Sequence, residues 1–136
     1  MERELSKKEV IAASIIDSIT DLLIVIDPGN YKIVVANKAF LDREGFSSKD
    51  IIGKTCHEVT HKLPNPCCPP HEKCPMHETV RTGKVVKEEH FHFDKNNVKY
   101  YVEVITSLLF DKENDSSYVL HVSRDISERK RAEEAI

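Results

Sequence analysis

Four cysteines and four of the seven histidines of this 136-residue chain are crowded between Cys56 and His77, in the stretch CHEVTHKLPNPCCPPHEKCPMH. Five of its six prolines stand there too: Pro64, Pro66, Pro69, Pro70 and Pro75. Nothing else in the chain restricts the fold as much. Each proline limits φ and removes a backbone donor, so this stretch suits neither a helix interior nor a central strand. It has to be carried as a connection by the regular elements on either side. Thiolate and imidazole are also the donors that borderline and soft metals prefer, so the same constraint bears on function.

The rest of the chain must then supply the core. At 136 residues, 40% apolar and 32% charged, it has the size and balance of one globular domain. A formal net charge of −3 with interspersed signs, and no Trp, excludes a nucleic-acid surface or a stacking platform for single strands. The longest apolar run, Leu22 to Ile26, is far too short to cross a bilayer, and the charged start MERELSKKEV is not a signal peptide. These features predict a cytoplasmic protein without direct membrane contact. In that compartment thiols stay reduced, which favours metal ligands or redox groups over a disulfide frame.

Punctuation residues divide the chain. Ser6-Lys7-Lys8-Glu9 is a capping box, with Leu5 and Val10 as a hydrophobic staple, opening an amphipathic helix with its stripe at Ile11, Ala12, Ile15, Ile16 and Ile19. Leu22–Ile26 and Tyr31–Ala36 read as a hairpin around the Asp27-Pro28-Gly29-Asn30 turn. Asn37 caps a helix over Lys38–Glu44 that stops at Gly45, and Ser47 opens another that ends by Gly53. The stretch from Cys56 is read as loop, with helix resuming over His71–Thr82. Three strands follow: Val85–Phe93, Val98–Phe110 with Tyr100, Val102 and Val104 on one face, and Tyr118–Arg124. Asp125 to Arg129 is read as an i,i+4 ion pair opening an exit helix. The sum is an α+β domain: a five-stranded antiparallel sheet with short helices on one face.

Several of these pieces, in this order, resemble the PAS domain, the sensory module of bacterial and archaeal signalling proteins. They are Ile24-Val25-Ile26-Asp27, Ile33 to Phe40, Ile52-Gly53-Lys54, Arg81-Thr82-Gly83-Lys84 and Asp125-Ile126-Ser127-Glu128-Arg129. Pro66-Cys67 and Cys74-Pro75 are similar to a subgroup of sensor-kinase PAS domains with Cys-rich insertions. The resemblance divides the chain into an N-terminal packing or dimer helix (1–20), a PAS domain (21–125) with its Cys/His loop at 56–77, and the start of a signalling helix (126–136). It implies a sensor of metal, redox state or a small ligand, feeding a C-terminal output domain such as a histidine kinase, and acting as a homodimer. It also implies a ligand pocket, with Asn37, Phe40, His90 and His92 as the residues expected to line it.

The expected metal ligands are Cys56, His61, Cys67 and Cys74, with Cys68, His71 and His77 as substitutes. Adjacent Cys67 and Cys68 point in different directions, so one of the two reaches a shared centre. Zinc leads on donor type; an iron–sulfur cluster and a b-type haem on one histidine are the alternatives, and C-x-x-C-H, the c-type haem signature, is absent. His121 is read as structural. Competing readings are buried packing cysteines in a plain interaction domain and a reversible disulfide switch, for example between Cys67 and Cys74. No Gly-rich phosphate loop, kinase signature or nucleophile elbow is present, so the domain is not expected to be an enzyme.

Overall fold

The computed structural model describes residues 6–62, 75–113 and 115–134. Helix α1 spans Lys7–Ser18 and starts where expected, with the Glu9 amide donating to Ser6 Oγ at 3.2 Å; Leu5, the other half of the staple, lies outside the described residues. No α1 residue is buried. The helix is tied to the domain through Asp17, whose Oδ1 accepts from the Lys38 amide at 3.2 Å.

Strands β1 (Leu22–Ile26) and β2 (Ile33–Ala36) pair antiparallel. The return strand begins later than Tyr31, because Tyr31 sits at φ 64° and belongs to the turn. The helices α2 (Lys38–Glu44), α3 (Ser48–Ile51) and α4 (Cys56–Thr60) follow, with Asn37 and Ser47 accepting from the amides of Phe40 and Asp50. Gly45 closes α2 at φ 77°, where a Cβ would come within 2.7 Å of Lys95 Cβ. Helix α4 corrects the reading of Cys56 as loop. The Thr55 amide donates to Glu58 Oε1 at 2.8 Å, and that capping interaction winds the first residues of the Cys/His stretch into a turn of helix.

After residue 74 come α5 (Pro75–Thr82), β3 (Val86–Phe93), β4 (Lys99–Asp111), β5 (Ser116–Asp125) and α6 (Ser127–Glu134). The five antiparallel strands are ordered β2-β1-β5-β4-β3. One sheet face carries Leu22, Ile24 and Ile26 from β1, Tyr100, Val102 and Val104 from β4, and Val119 from β5. Phe40, Ile51, Val59 and Met76 from the helices close over them. Each such side chain contributes roughly 1.5–3 kcal/mol on burial, so this layer is the main source of stability.

Two polar ties hold helices on the sheet. Asn37 is fully buried; its Oδ1 accepts from the amides of Leu23 and Phe40, and its Nδ2 donates to the carbonyls of Ile19 and Asp21 at 3.1 and 2.9 Å. Thr79 Oγ1 lies 2.7 Å from Thr106 Oγ1, which also donates to the Pro75 carbonyl at 3.2 Å, so α5 is held on β4. Among the described residues no helix is long and apolar enough to cross a membrane.

Candidate functional site

Beneath β3, β4 and β5 the core turns from apolar to basic. Alternation on β3 sends both His90 and His92 inward, and pairing with Val102 and Tyr100 of β4 fixes their backbone. His121 takes the same inward face of β5, opposite Ile24 on one side and Thr106 on the other. His61 is the C-cap of α4, its amide donating to the His57 carbonyl at 3.1 Å. The four rings meet. The ring centroids of His61 and His92 are 4.8 Å apart, those of His61 and His90 5.6 Å, and His92 stacks on His121 at 6.0 Å. One ring nitrogen from each of His61, His90 and His92 lies within 4.8 Å of the others.

Burial sets the chemistry of this cluster. His92 is 1% exposed, and neither of its ring nitrogens has a hydrogen-bond partner among the described residues. Desolvation, reinforced by the neighbouring imidazoles, pushes His61 down to about 3 and His92 well below the ordinary histidine range. Desolvation and His90 push His121 down to about 4. Burial thus disfavours the protonated form of all three rings. A cavity of about 20 Å³ adjoins them, lined in part by Cys56, His61, His90 and His121; it has room for about one water molecule.

A second polar group lies beside the first. Tyr100 meets the edge of His92 at 5.9 Å, and its hydroxyl donates to Glu44 Oε1 at 2.9 Å. The Glu44 side chain is wholly buried, with Lys62 Nζ 3.8 Å from its other oxygen. Desolvation raises Glu44 to about 7 against the opposing pull of Tyr100, Lys62 and Arg43. The Arg43 guanidinium lies 3.9 Å above the Tyr100 ring and donates to Asp125 Oδ2 at 2.7 Å. Asp125 Oδ1 in turn accepts from the Ser127 amide at 2.8 Å and starts α6. Asp125 thus pairs with Arg43, not with Arg129 as its spacing suggested; Arg129 turns to Glu89 and Glu133. A carboxylate used to cap a helix points back along the chain and is drawn away from the residue four positions ahead.

The PAS domain profile matches residues 21–128. The chain belongs to the PAS domain family. Solved PAS domains share its fold. That of an HTR-like protein from Haloarcula marismortui superposes with a TM-score of 0.68 at 16% identity, covering 90% of this chain and all (100%) of that one. One from a two-component sensor histidine kinase gives 0.66 at 12% identity, covering 87% and 96%. That of nitrogen regulation protein NR(II) from Vibrio parahaemolyticus gives 0.69 at 14%, covering 85% and 98%.

Within this PAS domain the expected site residues part company. His61, His90 and His92 come together. Cys56 is half-buried on the wall of the same cavity. His77, on α5, bonds Tyr31 Oη through Nε2, and Tyr31 also meets His57 at 5.7 Å, which makes a separate ring group. Cys67, Cys68, His71 and Cys74 lie outside the described residues. Asn37 and Phe40, expected in the ligand pocket, are placed otherwise: Asn37 spends its polar atoms on backbone and Phe40 belongs to the apolar core. His121, read as structural, joins the imidazole cluster. Its signal was present in the sequence, since it shares inward parity with Val119 and Ser123. Arg43 and Glu44 carried no such local signal.

Proposed function

We propose that this PAS domain is the sensory module of a signal-transduction protein, of the histidine-kinase kind, and that its input is a metal ion, a redox change or a small ligand received at the imidazole pocket and the adjoining Cys/His stretch. The observation that carries this reading is the continuous run of contacts from His92 through Tyr100 and Arg43 to Asp125, the residue that starts α6. An occupant that favours one packing of His92 and Tyr100 shifts Arg43, and with it the root of the helix leading toward an output domain. It does so only by the difference in its affinity for the two packings. The domain itself acts as a receiver and not as a catalyst. Cys67 and Cys74 are proposed to supply a thiol-based input. Val10, Ile11 and Ile15, each about half exposed on α1, support pairing with a second copy.

The test is amide hydrogen exchange on the full chain, comparing untreated protein with protein given Zn(II) or a thiol oxidant. Exchange in α6 is expected to change with at least one input, and the change is expected to vanish in Arg43→Ala. Identical α6 exchange under every condition refutes the reading.

A further inference from the structure

The geometry points to a binding site for one divalent late first-row metal ion on the ring nitrogens of His61, His90 and His92. This names the occupant of the pocket described above, and it rests on the sensory reading for its purpose but not for its chemistry. Three observations converge. The three donors already lie within 4.8 Å of one another. Tetrahedral coordination at a metal–nitrogen distance of about 2.0–2.1 Å sets the ligand atoms about 3.4 Å apart. Closing the site therefore asks for movements of about an ångström, within the reach of side-chain torsions. Two donors stand on a strand whose backbone is fixed by β4, which is the pre-organisation such a site needs.

The second observation is His92. It is 1% exposed, and neither ring nitrogen meets a hydrogen-bond partner among the described residues. A buried polar group left this way costs about 1–3 kcal/mol, and a metal ion would take up one of its nitrogens. Third, among the described residues no carboxylate lines the adjoining cavity, which holds about 20 Å³. Oxygen-seeking Mg²⁺ and Ca²⁺ are disfavoured there, and nitrogen-preferring Zn²⁺, Ni²⁺, Co²⁺ and Cu²⁺ are favoured. The cavity leaves room for one water as a further ligand.

The site gives the Cys/His stretch a physical role. His61 ends α4 and is followed by Lys62 at φ 56°, the last described residue before position 63. A metal ion shared with His90 and His92 would fasten the start of that stretch to β3. Its donors differ from the Cys-dominated set suggested by spacing: three nitrogens from the pocket, with at most one sulfur.

The experiment is anaerobic titration of the metal-free 136-residue chain with Co(II) and Zn(II), followed by X-ray absorption of the Zn(II)-loaded protein. One equivalent is expected to bind, with nitrogen scatterers at about 2.0–2.1 Å and no more than one sulfur at about 2.3 Å. His90→Gln and His92→Gln are each expected to weaken binding by about a hundredfold or more, while Cys67→Ser/Cys74→Ser keeps it. The absorption measurement uses wild-type protein, so a variant that fails to fold does not decide the matter. Two or more sulfurs, affinity unchanged in both histidine variants, or no stoichiometric binding overturns the site. Binding as expected with α6 exchange unaltered by metal and by oxidant alike sinks the sensory reading and leaves the site standing; no stoichiometric binding with α6 exchange that answers to the oxidant does the reverse.

Discussion

Replacing Glu44 with Gln should remove a stability loss that the wild type suffers as pH rises from 4.5 to about 7. In the unfolded chain this carboxyl titrates at its ordinary value of 4.5; in the fold, burial raises it to about 7. Below pH 4.5 both states hold the proton. Between the two values the folded state keeps a proton that the unfolded state has released, so rising pH favours unfolding. Above pH 7 both are ionised and the effect is complete. The window spans roughly 2.5 pH units, and at about 1.4 kcal/mol per unit it amounts to roughly 3 kcal/mol. Gln fills the same volume and can still accept from the Tyr100 hydroxyl, but it does not titrate. His61 and His121, which burial holds low, act in the opposite sense, losing their contribution as pH falls below the ordinary 6.5. Their effect is common to both proteins and cancels in the difference. The assay is urea unfolding at several pH values between 4 and 8, with chelator present, followed by far-ultraviolet circular dichroism because the chain has 0 Trp residues. The wild-type-minus-variant stability should fall by about 3 kcal/mol across that range. A difference that stays flat refutes the argument, and would mean that Lys62, 3.8 Å away, and Arg43 offset the cost of burying the charge.

Asn37→Ala should destabilise the domain by about 3 kcal/mol or more, measured by the same unfolding experiment, because it strands two amides and two carbonyls around a buried side chain. Thr79→Val should cost about 1–2 kcal/mol, since it removes the 2.7 Å bond to Thr106 while keeping nearly the same shape; amide exchange in α5 should rise with it. A Thr79→Val protein as stable as wild type would show that α5 is held by its apolar contacts alone.

The fold was legible where the signal was local or periodic. Ser6, Asn37 and Ser47 each cap the helix that their sequence announced. Tyr100, Val102 and Val104 face inward as their alternation required, and so do His90 and His92. The start of the Cys/His stretch was legible too, but the abundance of metal-type ligands drew attention from Thr55-x-x-Glu58, a helix-start pattern that does wind Cys56 into α4. What escaped was long-range. Arg43 and Asp125 are 82 positions apart, and no spacing rule links them. The stacking of His121 on His92 depends on strand order, because β4 separates their strands in the sheet. Pattern reading yields the face a residue takes; partners across the sheet come only with the topology.

That order has a consequence for how such a protein is made. β5, the last strand, lies between β1 and β4, so the two halves of the sheet meet only through it. On the ribosome, β1 and β2 can form a hairpin early, as can β3 and β4 later, yet neither half gains its neighbour until nearly the whole domain has emerged. A ribosome stalled before Ser116 would therefore display two unjoined half-sheets with open edges, a target for chaperones and a hazard for edge-to-edge pairing between nascent chains.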